Sequence, residues 1–176
     1  MRAEEGSMSY VYRTMKSPVG TLTLVGSERG LAAVFWEDDD PTRAPGAPLE
    51  DLRHPLLRQA QQQLEEYFAG QRRSFSVKLD PSGTQFQTKV WNALRTIPFG
   101  QTRSYGQIAD QIGSRKAVRA VGAANGANPI PIIVPCHRVI GANGTLTGFG
   151  GGLAIKAQLL ALEGAGSSQM ALIRTG

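Results

Sequence analysis

Apolar positions near the start of the chain recur at every second residue. Tyr10 to Met15 and Thr21 to Val25 alternate among β-forming residues, and the turn Ser17-Pro18-Val19-Gly20 separates them. A second turn, Ser27 to Gly30, leads into Leu31 to Trp36, so the spacing predicts an antiparallel three-strand meander. Glu37 to Glu50 collects acids and prolines and reads as a mobile surface loop. The period then changes. Leu56, Leu57, Ala60, Leu64, Tyr67 and Phe68 fall on one helical face between Pro55 and Ala69, with Gly70 as the stop. Phe75 to Leu79 returns as another strand. Asp80-Pro81-Ser82-Gly83 is a linker, which makes residues 1–80 one structural α/β domain.

Helical spacing dominates beyond the linker. Thr84 with Gln87 forms a capping box, and Phe86, Val90 and Leu94 lay an apolar stripe along Thr84 to Arg95, with Trp91 packing beside it. Ser104 with Gln107 forms a second capping box. It opens a short amphipathic helix through Tyr105, Ile108, Ala109 and Ile112 that closes at Gly113. Lys116 to Asn125 is alanine-rich, with Ala117, Val118, Ala120, Val121 and Ala124 on its apolar side. Two short helices around a glycine-containing turn are the pattern of a helix-turn-helix. The second would be the recognition helix, carrying Lys116 and Arg119 with Arg115 just ahead. Its small residues suit entry into a groove and equally suit close packing against another helix. Val139-Ile140, the turn Gly141-Ala142-Asn143-Gly144 and Thr145-Leu146-Thr147 predict a hairpin, hence a winged version. A glycine-rich loop, Gly148 to Gly152, precedes a last helix from Leu153 to Glu163 that ends at Gly164. The loop lacks the lysine and flanking pattern of a phosphate loop. Residues 84–164 thus form a second domain and 165–176 a tail.

Composition narrows the chemistry. The 176 residues are 41% hydrophobic, enough for one sizeable core or two small ones. Nineteen basic against fourteen acidic residues give a formal charge of +5, which weakly favours a polyanionic partner. A single cysteine excludes an internal disulfide, and with two histidines it cannot supply a structural zinc site. A free thiol kept for chemistry fits the reducing cytoplasm. Met1 to Ser9 has no apolar core and is not a signal peptide, and no window approaches the length of a membrane span.

The densest signal is Asn128 to Gly141. Pro129, Pro131 and Pro135 fix φ and press the residue before each toward extended geometry, with β-branched apolar residues around them. Such a segment is stiff and mostly buried, and it carries Cys136 to one defined place. A lone cysteine is most often a small buried hydrophobe. To act as a nucleophile it must become thiolate, which calls for an adjacent base, and His137 is the candidate, directly or through a water.

Taken together, Ser104-Tyr105-Gly106-Gln107-Ile108-Ala109, Ala117-Val118-Arg119-Ala120-Val121-Gly122, Asn128-Pro129, Pro135-Cys136-His137-Arg138 and Gly151-Gly152 closely resemble the O6-alkylguanine-DNA alkyltransferases. The likeness spans Phe86 to Gly164. It extends more loosely over the first half through Ser17-Pro18-Val19-Gly20 and Tyr67-Phe68-Ala69-Gly70. It implies a ribonuclease-H-like α/β domain followed by a mainly α winged helix-turn-helix domain. It also implies irreversible transfer of an alkyl group from O6-alkylguanine in duplex DNA to the protein's own Cys136, with O4-alkylthymine a second base to consider. His137 would be the base through a water, oriented by Glu163, and Tyr105 would rotate the nucleotide and protonate the leaving guanine. Arg119 would enter the base stack, and Arg115, Lys116, Asn128 and Arg138 would complete the DNA-facing set, with Asn128 bracing the turn after the recognition helix. Val139, Phe149, Gly150 and Gly151 would line the base site, with Phe149 where some relatives carry tyrosine. No cofactor and no metal are expected, and a monomer is. With no metal-binding regulatory domain ahead of it, a transcription-activator role is not expected. The alternatives are a non-catalytic binder of alkylated DNA, against which Cys136 itself argues, a cysteine hydrolase, and an ordinary helix-turn-helix regulator.

Overall fold

The computed structural model describes residues 9–165, which divide into two compact units at Ser82/Gly83. The expected tail lies outside the described residues except for Ala165, as do residues 1–8.

The first unit is a four-stranded sheet carrying one helix. β1 (Val11–Met15), β2 (Leu22–Ser27) and β3 (Gly30–Phe35) form the meander, with Val11 opposite Gly26 and Met15 opposite Leu22. The strand order is β3-β2-β1-β4, where β4 (Leu49–Glu50) is a two-residue strand running parallel to β1. The acidic, proline-rich loop therefore contains a 3-10 turn at Pro41–Arg43 and ends by adding an edge strand. A bulge at Val25/Gly26 lets helix α1 (Pro55–Phe68) lie close on the sheet. A Cβ on Gly26 would sit 2.7 Å from Leu56 Cδ2 and 3.0 Å from the Gly30 carbonyl oxygen. α1 starts at Pro55 behind the cap His54, whose Nδ1 accepts from the Leu56 amide, and buries Leu57, Ala60, Leu64 and Tyr67.

Phe75 to Leu79 is not the strand that its pattern predicts. Only Leu79 bridges the sheet, opposite Leu31. The buried side chain of Gln63 meets the middle of the segment: Oε1 accepts from the amides of Ser76 and Val77, and Nε2 donates to Ser76 Oγ. A side-chain amide thus takes the place of a ladder partner.

The second unit is mainly helical. Both capping boxes are made. Thr84 caps α2 (Gln85–Leu94) and Ser104 caps α3 (Tyr105–Gln111). α3 and α4 (Val118–Gly126) form the helix-turn-helix, and α2 packs against both. Trp91 on α2 is buried, and its indole donates to the Ala124 carbonyl at 2.8 Å, so it is a core residue that pins the recognition helix. α4 begins two residues later than the pattern suggests. Lys116 therefore lies in the turn, which is closed by a bond from the Ala117 amide to the Ser114 carbonyl.

The expected hairpin is reduced to a turn. Gly141 donates to the Thr145 carbonyl and Gly144 to that of Gly141, but Thr145 to Thr147 form no strand. Instead β6 (Val139–Ile140) pairs in parallel with β5 (Arg103–Ser104), just ahead of α3. α5 (Leu153–Leu162) closes the unit and packs on the 3-10 turn Cys136–Arg138. The architecture is the α/β sheet domain and mainly α helix-turn-helix domain expected from the sequence.

Candidate active site around Cys136

Residues 130–140 are all buried. Asn128 shapes this segment from both sides of its amide: Oδ1 accepts from the Ile130 amide at 3.0 Å and Nδ2 donates to the Val134 carbonyl at 2.8 Å. The Val134 amide donates to Ile130, and that of Cys136 to Val134. Ile132 holds φ at +74° although it is β-branched and buried, a conformation that persists only where its surroundings dictate it. Asn125, the next-to-last residue of α4, places Nδ2 3.4 Å from the Cys136 carbonyl. Asn128 was expected in the DNA-facing set as the brace of the turn after the recognition helix. It is a half-buried brace whose hydrogen bonds go to the acceptor segment.

Cys136 opens the 3-10 turn and is 5% exposed. Burial pushes its thiol up to about 11, opposed by a hydrogen bond from Asn128 and the charge of Lys156. His137 is fully buried, with Nε2 2.8 Å from Glu163 Oε2. Its other nitrogen, Nδ1, is buried and has no protein partner among the described residues. Burial lowers its proton affinity, and the cations Arg138 and Lys156 add to that against the pull of Glu163, so the imidazole rests neutral. Burial alone would raise the Glu163 carboxyl, but hydrogen bonds from His137 and Arg138 outweigh it and hold it at about 2. Neutral His137 therefore gives its Nε2–H to a carboxylate and turns a bare Nδ1 the other way.

Arg138 is buried, which corrects its expected place in the DNA-facing set. The residue is 6% exposed, and each of its three guanidinium nitrogens donates. Nε donates to Glu163 Oε1 at 2.8 Å, Nη2 to Oε2 at 3.0 Å and Nη1 to the Ile97 carbonyl at 2.7 Å. Arg119, Lys116 and Arg115 are exposed, as their expected roles require. Arg115 pairs with Asp110 at 2.9 Å, while Arg119 and Lys116 make no ion pair among the described residues.

Sequence reasoning missed Lys156. It is fully buried in α5, with Nζ donating to the Val139 carbonyl at 2.6 Å and the Thr147 carbonyl at 2.8 Å, and it lies 6.0 Å from the centre of the Phe149 ring. Burial pulls it down to about 8, against the favourable field of Cys136. The signal was present, because Lys156 is the sole charged residue between Leu153 and Leu162. Thr147 also donates its hydroxyl to Tyr105 at 3.1 Å, so Tyr105, Val139 and Phe149 are brought to one place through Thr147 and Lys156. Gly150 and Gly151 lie in the adjoining turn, with Gly150 exposed. Among the described residues no group of three or more His, Cys, Asp or Glu could hold a metal, and no helix is long and apolar enough to cross a membrane.

Two outcomes follow from these charges. Glu163 falls from an ordinary 4.5 to about 2 in the fold, and His137 falls below its ordinary 6.5. Both shifts are depressions, so the stability they give is present above the ordinary values. It is lost as pH drops below 6.5 for His137 and from 4.5 toward 2 for Glu163. Urea midpoints should fall continuously on acidification from about pH 7, and Glu163→Gln should flatten the part below 4.5. For Lys156→Met, removal of the nearby cation should push the thiol higher still. Carboxamidomethylation of Cys136 by iodoacetamide, followed by intact mass at fixed pH, should slow by about tenfold per unit of that shift.

Comparison with known proteins agrees with this geometry. Residues 85–165 match the family described as 6-O-methylguanine DNA methyltransferase, DNA binding domain, and residues 10–81 match its ribonuclease-like domain. The methylated-DNA–protein-cysteine methyltransferase of Methanosarcina acetivorans is 54% identical over 154 residues, covering 87% of this chain and 97% of that protein. The protein of that name from Mycobacterium tuberculosis is 53% identical over 154 residues, covering 86% and 91%. A crystal structure of Mycobacterium tuberculosis OGT in complex with DNA superposes with a TM-score of 0.81 at 50% identity, covering 92% of this chain and 98% of that one. With both domains matched in order and the buried Cys136–His137–Glu163 set in place, the chain belongs to the O6-alkylguanine-DNA alkyltransferase family.

Proposed function

We propose that this protein repairs duplex DNA by taking an alkyl group from O6-alkylguanine onto Cys136, once per molecule, through a Glu163–His137–water–Cys136 relay. DNA repair by alkyl transfer to a protein cysteine is the activity of the family, and DNA is its partner. The observation that carries the relay is the environment of His137. Its Nε2 is committed to Glu163, its buried Nδ1 has no protein partner among the described residues, and His137 directly follows the acceptor residue in the same 3-10 turn.

In this scheme a thiol proton passes to His137 Nδ1 by way of a water. Sulfur attacks the alkyl carbon, the S–C bond forms as the C–O6 bond breaks, and the electron pair leaves on guanine. Tyr105, held by Thr147, supplies the proton that the leaving base takes up. Lys156 favours the thiolate by its charge. The product is a thioether, which explains the single turnover and the lack of any need for a methyl donor. Arg119 on the exposed face of α4 fills the gap left by the extruded nucleotide, and Lys116 and Arg115 meet phosphate. α4 has Ala117 at its N-cap and no side-chain cap bond, so its first amides are also open to a phosphate oxygen. A monomer suffices, because every group in the scheme comes from one chain.

Intact mass after incubation with a duplex carrying one O6-methylguanine tests the reading. The expected result is one added methyl group, mapped to Cys136, and none in Cys136→Ser. Binding with no mass change would instead favour a non-catalytic binder of alkylated DNA. Arg119→Ala should slow transfer from duplex by about tenfold or more, on the scale of a few kcal/mol for flipping. It should leave transfer from free O6-benzylguanine nearly unchanged, and an equal loss on both substrates would remove Arg119 from its assigned role.

A further inference from the structure

The relay uses Glu163 and His137 but gives no task to the group that bonds both oxygens of Glu163. Arg138 turns its guanidinium to the interior: two bonds go to the two oxygens of Glu163, one goes to the Ile97 carbonyl, and Cζ lies 5.9 Å from the centre of the Phe99 ring. Glu163 Oε2 is shared, receiving His137 Nε2 at 2.8 Å and Arg138 Nη2 at 3.0 Å.

That sharing bears on the protonation of His137. A buried carboxylate with an imidazole as its sole partner is best neutralised by an imidazolium. An imidazolium carries hydrogen on both nitrogens and can accept nothing. Arginine stays charged at any working pH, so a guanidinium in bidentate contact neutralises the carboxylate permanently and leaves the imidazole no reason to charge. The other charges facing His137 act in the same direction or not at all. Lys156, on α5, is a cation and disfavours a second one, and Cys136, in the same turn, is neutral as a thiol.

We propose that Arg138 is a positioning residue which, by neutralising Glu163, keeps His137 as the neutral Nε2–H tautomer with Nδ1 open to receive the acceptor thiol's proton. The inference rests on the reading above that His137 is the base. It gives the arginine of the Pro135-Cys136-His137-Arg138 run a role in proton transfer in place of a DNA contact.

The chain has two histidines, so His54→Asn, which keeps a capping side chain before α1, leaves His137 as the sole imidazole signal. Nitrogen-15 spectra of this protein at neutral pH should show Nε2 protonated and Nδ1 bare. In Arg138→Met the midpoint of the His137 titration should rise by about 1 unit or more. The acid limb of the rate of transfer from O6-benzylguanine should move up in pH with it, while Arg138→Lys, which keeps a cation, should stay near the parent in both. If Arg138→Met does not fold because Glu163 is left unpaired, the comparison moves to Arg138→Gln, which keeps a donor for Glu163 but carries no charge. There the His137 midpoint should likewise rise above that of the parent.

An imidazolium or an Nδ1–H tautomer in the parent at neutral pH overturns the inference. So does a His137 titration that is indifferent to Arg138 in whichever pair folds, even if the rate falls equally at all pH, since that is what a merely structural residue would give. Failure of the underlying reading looks different: Cys136 acquires no alkyl group, whatever the imidazole spectra show.

Discussion

One carboxylate, buried between an imidazole and a guanidinium, organises the second half of this protein. Glu163 stands at the C-terminal cap of α5, where the helix dipole disfavours a negative charge, and its side chain has no exposure to water. Desolvating each such ion costs several kcal/mol, and removing one partner of a buried pair typically costs about 3–5 kcal/mol. The placement is tolerable because both oxygens are satisfied by charge-assisted or polar hydrogen bonds, and because Arg138 carries its third bond onward to Ile97. The end of α5, the turn holding Cys136 and the segment after α2 are thereby tied at one point. The same contact that secures the fold also fixes the orientation of the imidazole that follows Cys136 in the chain. Structure and chemistry are therefore not separable at Glu163.

Lys156 is the second buried charge, and it serves a different wall of the site. It bonds two carbonyls, Val139 after the acceptor turn and Thr147 before the glycine-rich loop, and through Thr147 it fixes the neighbour of the Tyr105 hydroxyl. A buried ammonium bonded only to carbonyls keeps most of its field, so its charge is felt at Cys136. Glu163 is already neutralised by Arg138, which leaves Lys156 as the uncompensated cation nearest the sulfur in this set. Anionic sulfur is thus favoured by Lys156, and in the proposed relay its proton has a receiver in His137. These are two separate contributions to one ionisation.

Much of this was legible in the residues, and the reasons for the gaps are physical. The meander, α1 and the helices of the second unit follow from periodicity and caps, because each is decided by local preferences: the Thr84–Gln87 and Ser104–Gln107 boxes form as written. Elements decided by distant partners were not legible. Phe75 to Leu79 has a strand's composition, but Gln63 meets its amides. Val139-Ile140 pairs with Arg103–Ser104 rather than with the segment across its own turn. At the site, Cys136 and His137 stood out by type and adjacency, whereas Glu163 came only through family resemblance. Arg138 was misplaced because charge alone suggests an exposed residue, and its burial is specified by Glu163, 25 residues away. Lys156 could have been found, because a single cation inside an otherwise apolar helix invites the question of what it meets.

The stiffness of the acceptor segment decides which partner must move during the reaction. Cys136 follows three prolines. It is fastened to α4 through Asn125 and Asn128, lies in a run with no exposed residue from 130 to 140, and includes Ile132 in a backbone conformation that β-branched residues avoid. Releasing the sulfur to the surface would break these bonds and the Glu163 network together. Extruding one nucleotide from a duplex costs a few kcal/mol, and less where the base pair is already weakened by alkylation. The cheaper path is for the base to travel to a fixed sulfur. A fixed sulfur in turn needs the helix that meets DNA to stand in fixed register with it, and the two asparagines near the end of α4 supply that connection. The prolines and amides of the segment are thus as much a part of the proposed transfer as the thiol they hold, because they convert binding of α4 into delivery of a carbon atom to one place.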